Sequence, residues 1–120
     1  MKVQENHSVW GHIESIVDAY KTMDVDGNIV PDVEAQAAVK RALTARVEFF
    51  HNNKLLKINP FDEKGVLVDR QYFRNDFTEE GYELCRQKVP AWLKSKASSK
   101  LPPDMKILEK GLADIRGEKK

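Results

Sequence analysis

The chain contains a single cysteine, Cys85, so no internal disulfide can staple it. That scarcity fits a reducing compartment. The thiol falls on the apolar side of a helical pattern and reads as a small buried hydrophobe, because nothing around it promises the lowered pKa a nucleophile needs. Long apolar runs are missing as well: none approaches the roughly 20 residues that span a bilayer. The opening MKVQENHSVWGHIESI has neither a signal core nor a small-residue cleavage pattern, and the expectation is a cytoplasmic protein. A charge excess is also lacking, since 20 basic residues against 19 acidic ones leave +1, too little to announce nucleic acid.

Chemistry-bearing motifs are equally scarce. The sequence has no G-x-S-x-G elbow, phosphate-binding glycine loop, H-E-x-x-H, cysteine cluster or dinucleotide fingerprint. No cofactor, metal site or catalytic residue is therefore expected. Asp24 with Asp26, or Asp62 with Glu63, could join distant groups in acid–base work, but solvated loop side chains explain them more simply. An enzyme with a site not readable from sequence stays a lesser alternative.

What is present is ordinary globular material. A hydrophobic fraction of 41% beside 32% charged residues, over 120 residues, suffices to bury a core without metal or disulfide. One domain over residues 1–120 is expected, with 1–6 and 117–120 frayed.

The best-marked stretch is Asn75 to Ala97. Thr78 is placed to cap a helix, with Glu79 and Glu80 against the positive end of its dipole. Phe77 and Tyr82 then fall at the spacing of a hydrophobic staple. An Asp76 cap is the competing register. Tyr82, Cys85, Val89, Trp92 and Leu93 share one apolar stripe. Pro90 disfavours α geometry at Val89, and because the stripe stays in phase across it, one long kinked helix is expected.

Elsewhere, Val9, Trp10, Ile13, Ile16, Val17 and Tyr20 predict a first helix from about Asn6 or Ser8 to Thr22. His7 and His12, five apart, do not share a face, which argues against a metal pair. Asp24 to Asp32 resembles a calcium loop only in its opening, since Gly27 is misplaced and Ala35 stands where a bidentate glutamate is required. A tight turn on Asp26-Gly27, leading into an extended Ile29-Val30, is expected instead, with Pro31 as a stop and Asp32 as a cap. A second helix should run from about Val33 to His51, ended by Asn52 and Asn53. Lys54 to Ile58 and Val66 to Arg70 read as a short antiparallel β-hairpin, with Gln71 to Arg74 or the N-terminal arm as a possible third strand. Asp104 caps a last amphipathic helix from about Met105 to Ile115. The fold class is thus α+β: two N-terminal helices, the hairpin, the kinked helix and the C-terminal helix. Trp10, Phe50, Phe77, Tyr82 and Trp92 are the expected anchors.

Charge is distributed unevenly although it nearly cancels. Residues 1–36 carry Glu5, Glu14, Asp18, Asp24, Asp26, Asp32 and Glu34 against Lys2 and Lys21, a balance of minus five. Between Arg86 and Lys100 every charge is positive. One acidic and one basic edge suit a protein partner or self-association at least as well as nucleic acid.

The order of helix, hairpin and a strand-to-helix step written D-F-T-E-E-G-Y-E-L resembles the wing and following helix of winged-helix transcriptional regulators of the MarR type, in which an L-T-x-x-G step leaves the wing. The similar stretch is Leu55 to Leu84 at most. The resemblance implies Asn59 to Lys64 as wing tip, Lys57, Lys64 and Arg70 as phosphate contacts, and a preceding recognition helix exposing Lys40, Arg41 and Arg46. The sequence departs from that pattern in having only two helices ahead of the hairpin and in placing Asp62, Glu63 and Asp69 on the wing.

The leading expectation is a small non-catalytic domain that acts by protein–protein interaction, as an adaptor, neutraliser or regulator, or as a homodimer. Arg86, Lys94, Lys96, Leu108, Leu112 and Ile115 are the candidate partner residues, and the winged-helix DNA binder is the alternative. The pattern also makes a stability prediction. As a core anchor, Trp92 truncated to alanine should cost about 3 to 5 kcal/mol in denaturant unfolding. A loss below about 1 kcal/mol would place the ring on a partner-facing surface.

Overall fold

The computed structural model describes residues 6–118. Among them are five α-helices and two small two-stranded antiparallel sheets, an α+β arrangement. Strand β1 (Ser8–Trp10) leads into α1 (Ile13–Asp18), then β2 (Lys21–Met23), β3 (Ile29–Pro31) and the long α2 (Val33–Asn52). Strand β4 (Tyr72–Phe73) precedes α3 (Glu79–Gln87), α4 (Val89–Lys94) and α5 (Lys106–Glu118).

The first helix is much shorter than expected, because its apolar spacing serves two elements. Ser8 to Trp10 is extended and pairs with β4, bringing Ser8 opposite Phe73 and Trp10 opposite Tyr72. Of the two expected third-strand candidates, Gln71 to Arg74 thus supplies a strand, but its partner is a segment expected to be helical, and residues 1–5 of the N-terminal arm lie outside the described residues. The helix begins only at Ile13, where the Asp69 carboxylate accepts from the amides of Ile13 at 2.6 Å and Glu14 at 3.1 Å. Two otherwise unsatisfied donors of the first turn are met by a side chain distant in sequence, which no local reading could find.

The turn on Asp26-Gly27 forms as expected. Gly27 takes a positive φ of 84°, and Asp24 Oδ1 accepts from the amides of Asp26 and Asn28, both at 2.9 Å. Pro31 is the last residue of β3, opposite Lys21, as a proline at a sheet edge can be. Asp32 caps α2 by accepting from Ala35 N at 3.1 Å.

The hairpin expected at 54–70 does not form as a two-strand ladder. Lys54, not Asn52 or Asn53, takes the left-handed conformation, with φ 61°. The chain then folds back so that Leu55 is fully buried, and its partner is the approach to α3. Lys57 N donates to Asp76 O at 2.7 Å, Thr78 N donates to Leu55 O at 3.0 Å, and Leu56 bridges Phe77. Residues 60–68 close on themselves around Asp62, which accepts from the amides of Lys64 and Val66 at 2.8 and 2.9 Å. Burial of Leu55 against the incoming α3 outweighs the nearer local pairing.

Thr78 caps α3, accepting from Gly81 N at 3.0 Å. The expected single kinked helix is two helices: Lys88, with φ −121°, separates α3 from α4, and Pro90 lies in the first turn of α4, where its missing N–H costs nothing. Backbone bonds from Lys88 N to Leu84 O and from Trp92 N to Lys88 O, both 2.9 Å, carry the direction across the joint, which is why the apolar stripe stays in phase. The segment from Lys96 to Ser99 is a 3-10 turn instead of a continuation.

Helix α5 packs on α3 and α4 of the same chain, and Gly117 and Glu118, expected to fray, extend it. Its start is held by Asp104, which accepts from Lys106 N at 3.0 Å, while Trp92 Nε1 donates to Asp104 O at 2.7 Å. Asn6, also expected to fray, accepts from Asn75 N at 2.7 Å. Residues 1–5 and 119–120 of the expected frayed ends lie outside the described residues.

The main core joins Trp10, Phe50, Leu55, Tyr72, Phe77, Leu84, Trp92 and Leu108, and a smaller cluster of Ile13, Val17 and Leu43 seats α1 on α2. Gly81 marks the tightest approach. A Cβ there would press on the backbone oxygen of Leu55 and lie 3.0 Å from its Cβ. Helix propensity favours Gly81→Ala by about 1 kcal/mol, whereas overpacking against backbone costs about 1 to 3 kcal/mol. We expect net destabilisation in urea unfolding, and a stabilised variant would show that Leu55 yields.

Candidate functional site

Strand β1 turns Trp10 inward, and helical spacing places Arg46 and Phe50 on one face of α2, four residues apart. The Trp10 ring meets Phe50, Tyr72 and Phe77 edge-on, with centroids at 4.9, 5.3 and 4.9 Å. Its Nε1 donates to the Cys85 Sγ at 3.1 Å. Over the ring lies the Arg46 guanidinium, its carbon 3.8 Å from the centroid.

Arg46 is 4% exposed and, among the described residues, has no ion-pair partner. Its Nε lacks a hydrogen-bond partner. Burial pulls its pKa down to about 10, with small opposing effects from Cys85 and Tyr72. It therefore remains charged at neutral pH. The ring face supplies one attraction, worth about 2 kcal/mol when desolvated, but no counter-charge.

Arg46 also lines a cleft of about 370 Å³ between α1, α2 and the turn that follows α4. Ala42, Leu43, Arg46 and Ser98 are buried at its base, while Tyr20, Leu93 and Ser99 are exposed at its mouth. Ile16, Ala38, Val39 and Ser95 complete the walls. Arg41 fastens one wall to the other, donating to Ser99 O at 3.1 Å and Lys100 O at 3.2 Å. The Ser98 hydroxyl donates to the backbone oxygens of Leu93 and Ser95.

The candidate partner residues separate into two groups. Leu108, Leu112 and Ile115 are buried in the chain's own core, which corrects their placement on a contact surface. Lys94 and Lys96 are exposed, and Arg86 is exposed but paired with Glu83 at 2.7 Å. The basic residues that the winged-helix resemblance implied are not gathered for phosphate. Arg46 is inside, Lys40 pairs with Glu14 at 3.0 Å, Arg70 pairs with Asp76 at 2.9 Å, and Arg41 holds the cleft wall. Lys57 and Lys64 are exposed on segments that form no wing ladder. Of the anchors, Trp10, Phe50, Phe77 and Trp92 are buried; Tyr82 is half-buried, with the Arg74 guanidinium 4.1 Å from its ring centroid.

Sequence reasoning missed two surfaces. Arg46 was legible in principle, since it shares the helical phase of Ala42, Leu43 and Phe50, yet its charge suggests a flank. The second is the exposed apolar arm formed by β2 and β3. Every residue from Tyr20 to Ile29 is exposed, and Met23, Val25, Ile29 and Val33 are 62%, 101%, 66% and 73% accessible.

The chain matches no protein-family model, no curated protein and no solved structure. No helix among the described residues is long and apolar enough to cross a membrane.

The surroundings of Cys85 make its reactivity predictable. Burial raises its thiol pKa, and the Trp10 N–H and the Arg46 charge offset only part of that. A raised pKa leaves less thiolate at any pH below it, so alkylation should begin at higher pH than for a free thiol. We expect iodoacetamide to label native Cys85 about tenfold or more slowly than the denatured chain, read by mass spectrometry. Equal rates would mean that the Trp10 box opens freely.

Proposed function

We propose that the protein is a small non-catalytic binding domain that acts by contact with another protein, and that the β2–β3 arm makes the contact. One observation carries this reading: Met23, Val25 and Ile29 are large apolar residues exposed together on one short hairpin, with Tyr20 just before it and Val33 just after it exposed as well. A concentration of exposed apolar groups on a single element marks an interaction surface. A two-stranded ribbon is marginal in water by itself, so a covering surface would also stabilise it.

The arm's charges indicate the chemistry of the partner. Asp24 and Asp26 are exposed there beside a single cation, Lys21, and Glu34 is exposed in the adjoining first turn of α2. Pairing the arm with its own copy would bring like charges together, which disfavours a two-fold contact. The complement is an apolar surface ringed by lysine or arginine on a different protein. Lys94 and Lys96, exposed and without ion pairs among the described residues, provide a basic counterpart on the α4 side for acidic groups of the same partner.

The test places a photo-crosslinking residue at Val25, and in a second protein at the exposed Glu48 of α2, in the cells that make the protein. A discrete adduct is expected from position 25 only, weaker at high salt and lost in the M23S/I29S double variant. Because both side chains are exposed, that variant should unfold within about 0.5 kcal/mol per site of the wild type. No adduct at position 25, or the same adduct from position 48, would remove the arm as the contact.

A further inference from the structure

We propose that the cleft floored by Arg46 binds a small organic carboxylate: one anionic head seated at the guanidinium, with an apolar body lying along Ile16, Val39, Ala42 and Leu43. Two independent observations meet there. One is the cavity, whose volume of about 370 Å³ falls within the range of small-molecule sites. At about 30 Å³ for each water-sized group, it takes roughly a dozen non-hydrogen atoms. The other is the charge at its base, the guanidinium of a residue 4% exposed, with no ion-pair partner among the described residues.

The Arg46 charge lacks compensation by a counter-charge among the described residues. A charge removed from water is costly unless it is paired and hydrogen-bonded. Trp10 covers one face of the guanidinium, and a ring face accepts no conventional N–H bond along the guanidinium edge. A carboxylate offers a guanidinium two parallel acceptors, the geometry in which arginine binds most strongly.

The surroundings narrow the class of ligand. The hydroxyls of Ser95, Ser98 and Ser99 already donate to the backbone oxygens of Trp92, Leu93 or Ser95, and Lys96, which leaves Arg46 and Tyr20 as the lining side chains with uncommitted donors. One cation with apolar walls suits a monoanion bearing a hydrocarbon body. A phosphate dianion would need more donors than the cleft supplies. A neutral hydrocarbon would leave the guanidinium uncompensated.

Thermal unfolding of the full chain tests this with octanoate and benzoate, their neutral counterparts octanol and benzyl alcohol, and inorganic phosphate. At least one carboxylate should raise the melting temperature saturably, by a few degrees at a hundredfold excess over its Kd, while the alcohols and phosphate leave it unchanged. Arg46→Met should abolish the shift, and because it removes an uncompensated buried charge it should fold at least as stably without ligand. Ala38→Phe, which fills the cleft and leaves Arg46 in place, should abolish the shift as well. The second variant decides the matter if the first fails to fold. The proposal is overturned by the absence of a shift with either acid, by equal shifts with the alcohols or phosphate, or by a shift that survives Ala38→Phe. The arm variant M23S/I29S should keep the shift in full, so failure of the protein-contact reading and failure of this one are distinguishable.

Discussion

The seating of the Trp10 indole among Phe50, Tyr72 and Phe77 is the constraint around which the rest of the molecule is arranged. It requires that β1 be a strand, because only an extended Ser8 to Trp10 both pairs with Tyr72 and Phe73 and delivers the indole to the centre. Over the indole face, α2 directs a cation inward, at the seam between the aromatic core and the apolar cleft. The indole is engaged on its edges, its N–H and its face, by Phe50, Tyr72 and Phe77, by Cys85 and by Arg46 respectively. Few side chains could replace it, since the position needs a large ring, a donor and a π face together.

Helix α2 joins the two surfaces that matter. Its first half is rich in alanine, which leaves room for the cleft and for α1, and its cap Asp32 receives the chain from the arm. Its second half carries Phe50 and Val47 into the main core. The arm and the cleft also share Tyr20, whose backbone oxygen accepts from Asp32 N at 3.1 Å and Gln36 Nε2 at 2.9 Å and whose side chain stands at the cleft mouth. Rigid packing at one end of the helix thus holds two more open features at the other.

The features legible in the sequence were those set by neighbours along the chain. Thr78, Asp32 and Asp104 accept from amides two or three residues ahead, and the Asp26-Gly27 turn is closed by Asp24. Helical phase placed α2, α3 and α5. What could not be read depends on partners far away: Asp69 starts α1, and Asp76 to Thr78 capture the chain after Leu55. The long first helix failed because Trp10 satisfies helical spacing while being used in a strand. The long helix around Pro90 failed for a milder reason, since one residue, Lys88, departs from α geometry between two segments of the same phase. The candidate site was hidden by chemistry, because a cation on an apolar stripe is usually read as a flanking side chain that reaches for water.

The hydrogen bond from Trp10 to Cys85 spans 75 positions of the chain. Closing so large a loop costs chain entropy before any contact rewards it. The local pieces, α2 and the capped α3, can form early from their own sequence, but the indole finds its box only after the segments carrying Phe50, Tyr72, Phe77 and Cys85 have come together. The contacts of β1 thus carry a larger loop-closure cost than those of the helices, a dependence on non-local contacts that goes with slower folding than that of a simple helical bundle. The same contacts bury Arg46, since the ring its guanidinium lies on belongs to β1, so the cost of taking that cation out of water is tied to the pairing of the most distant parts of the chain.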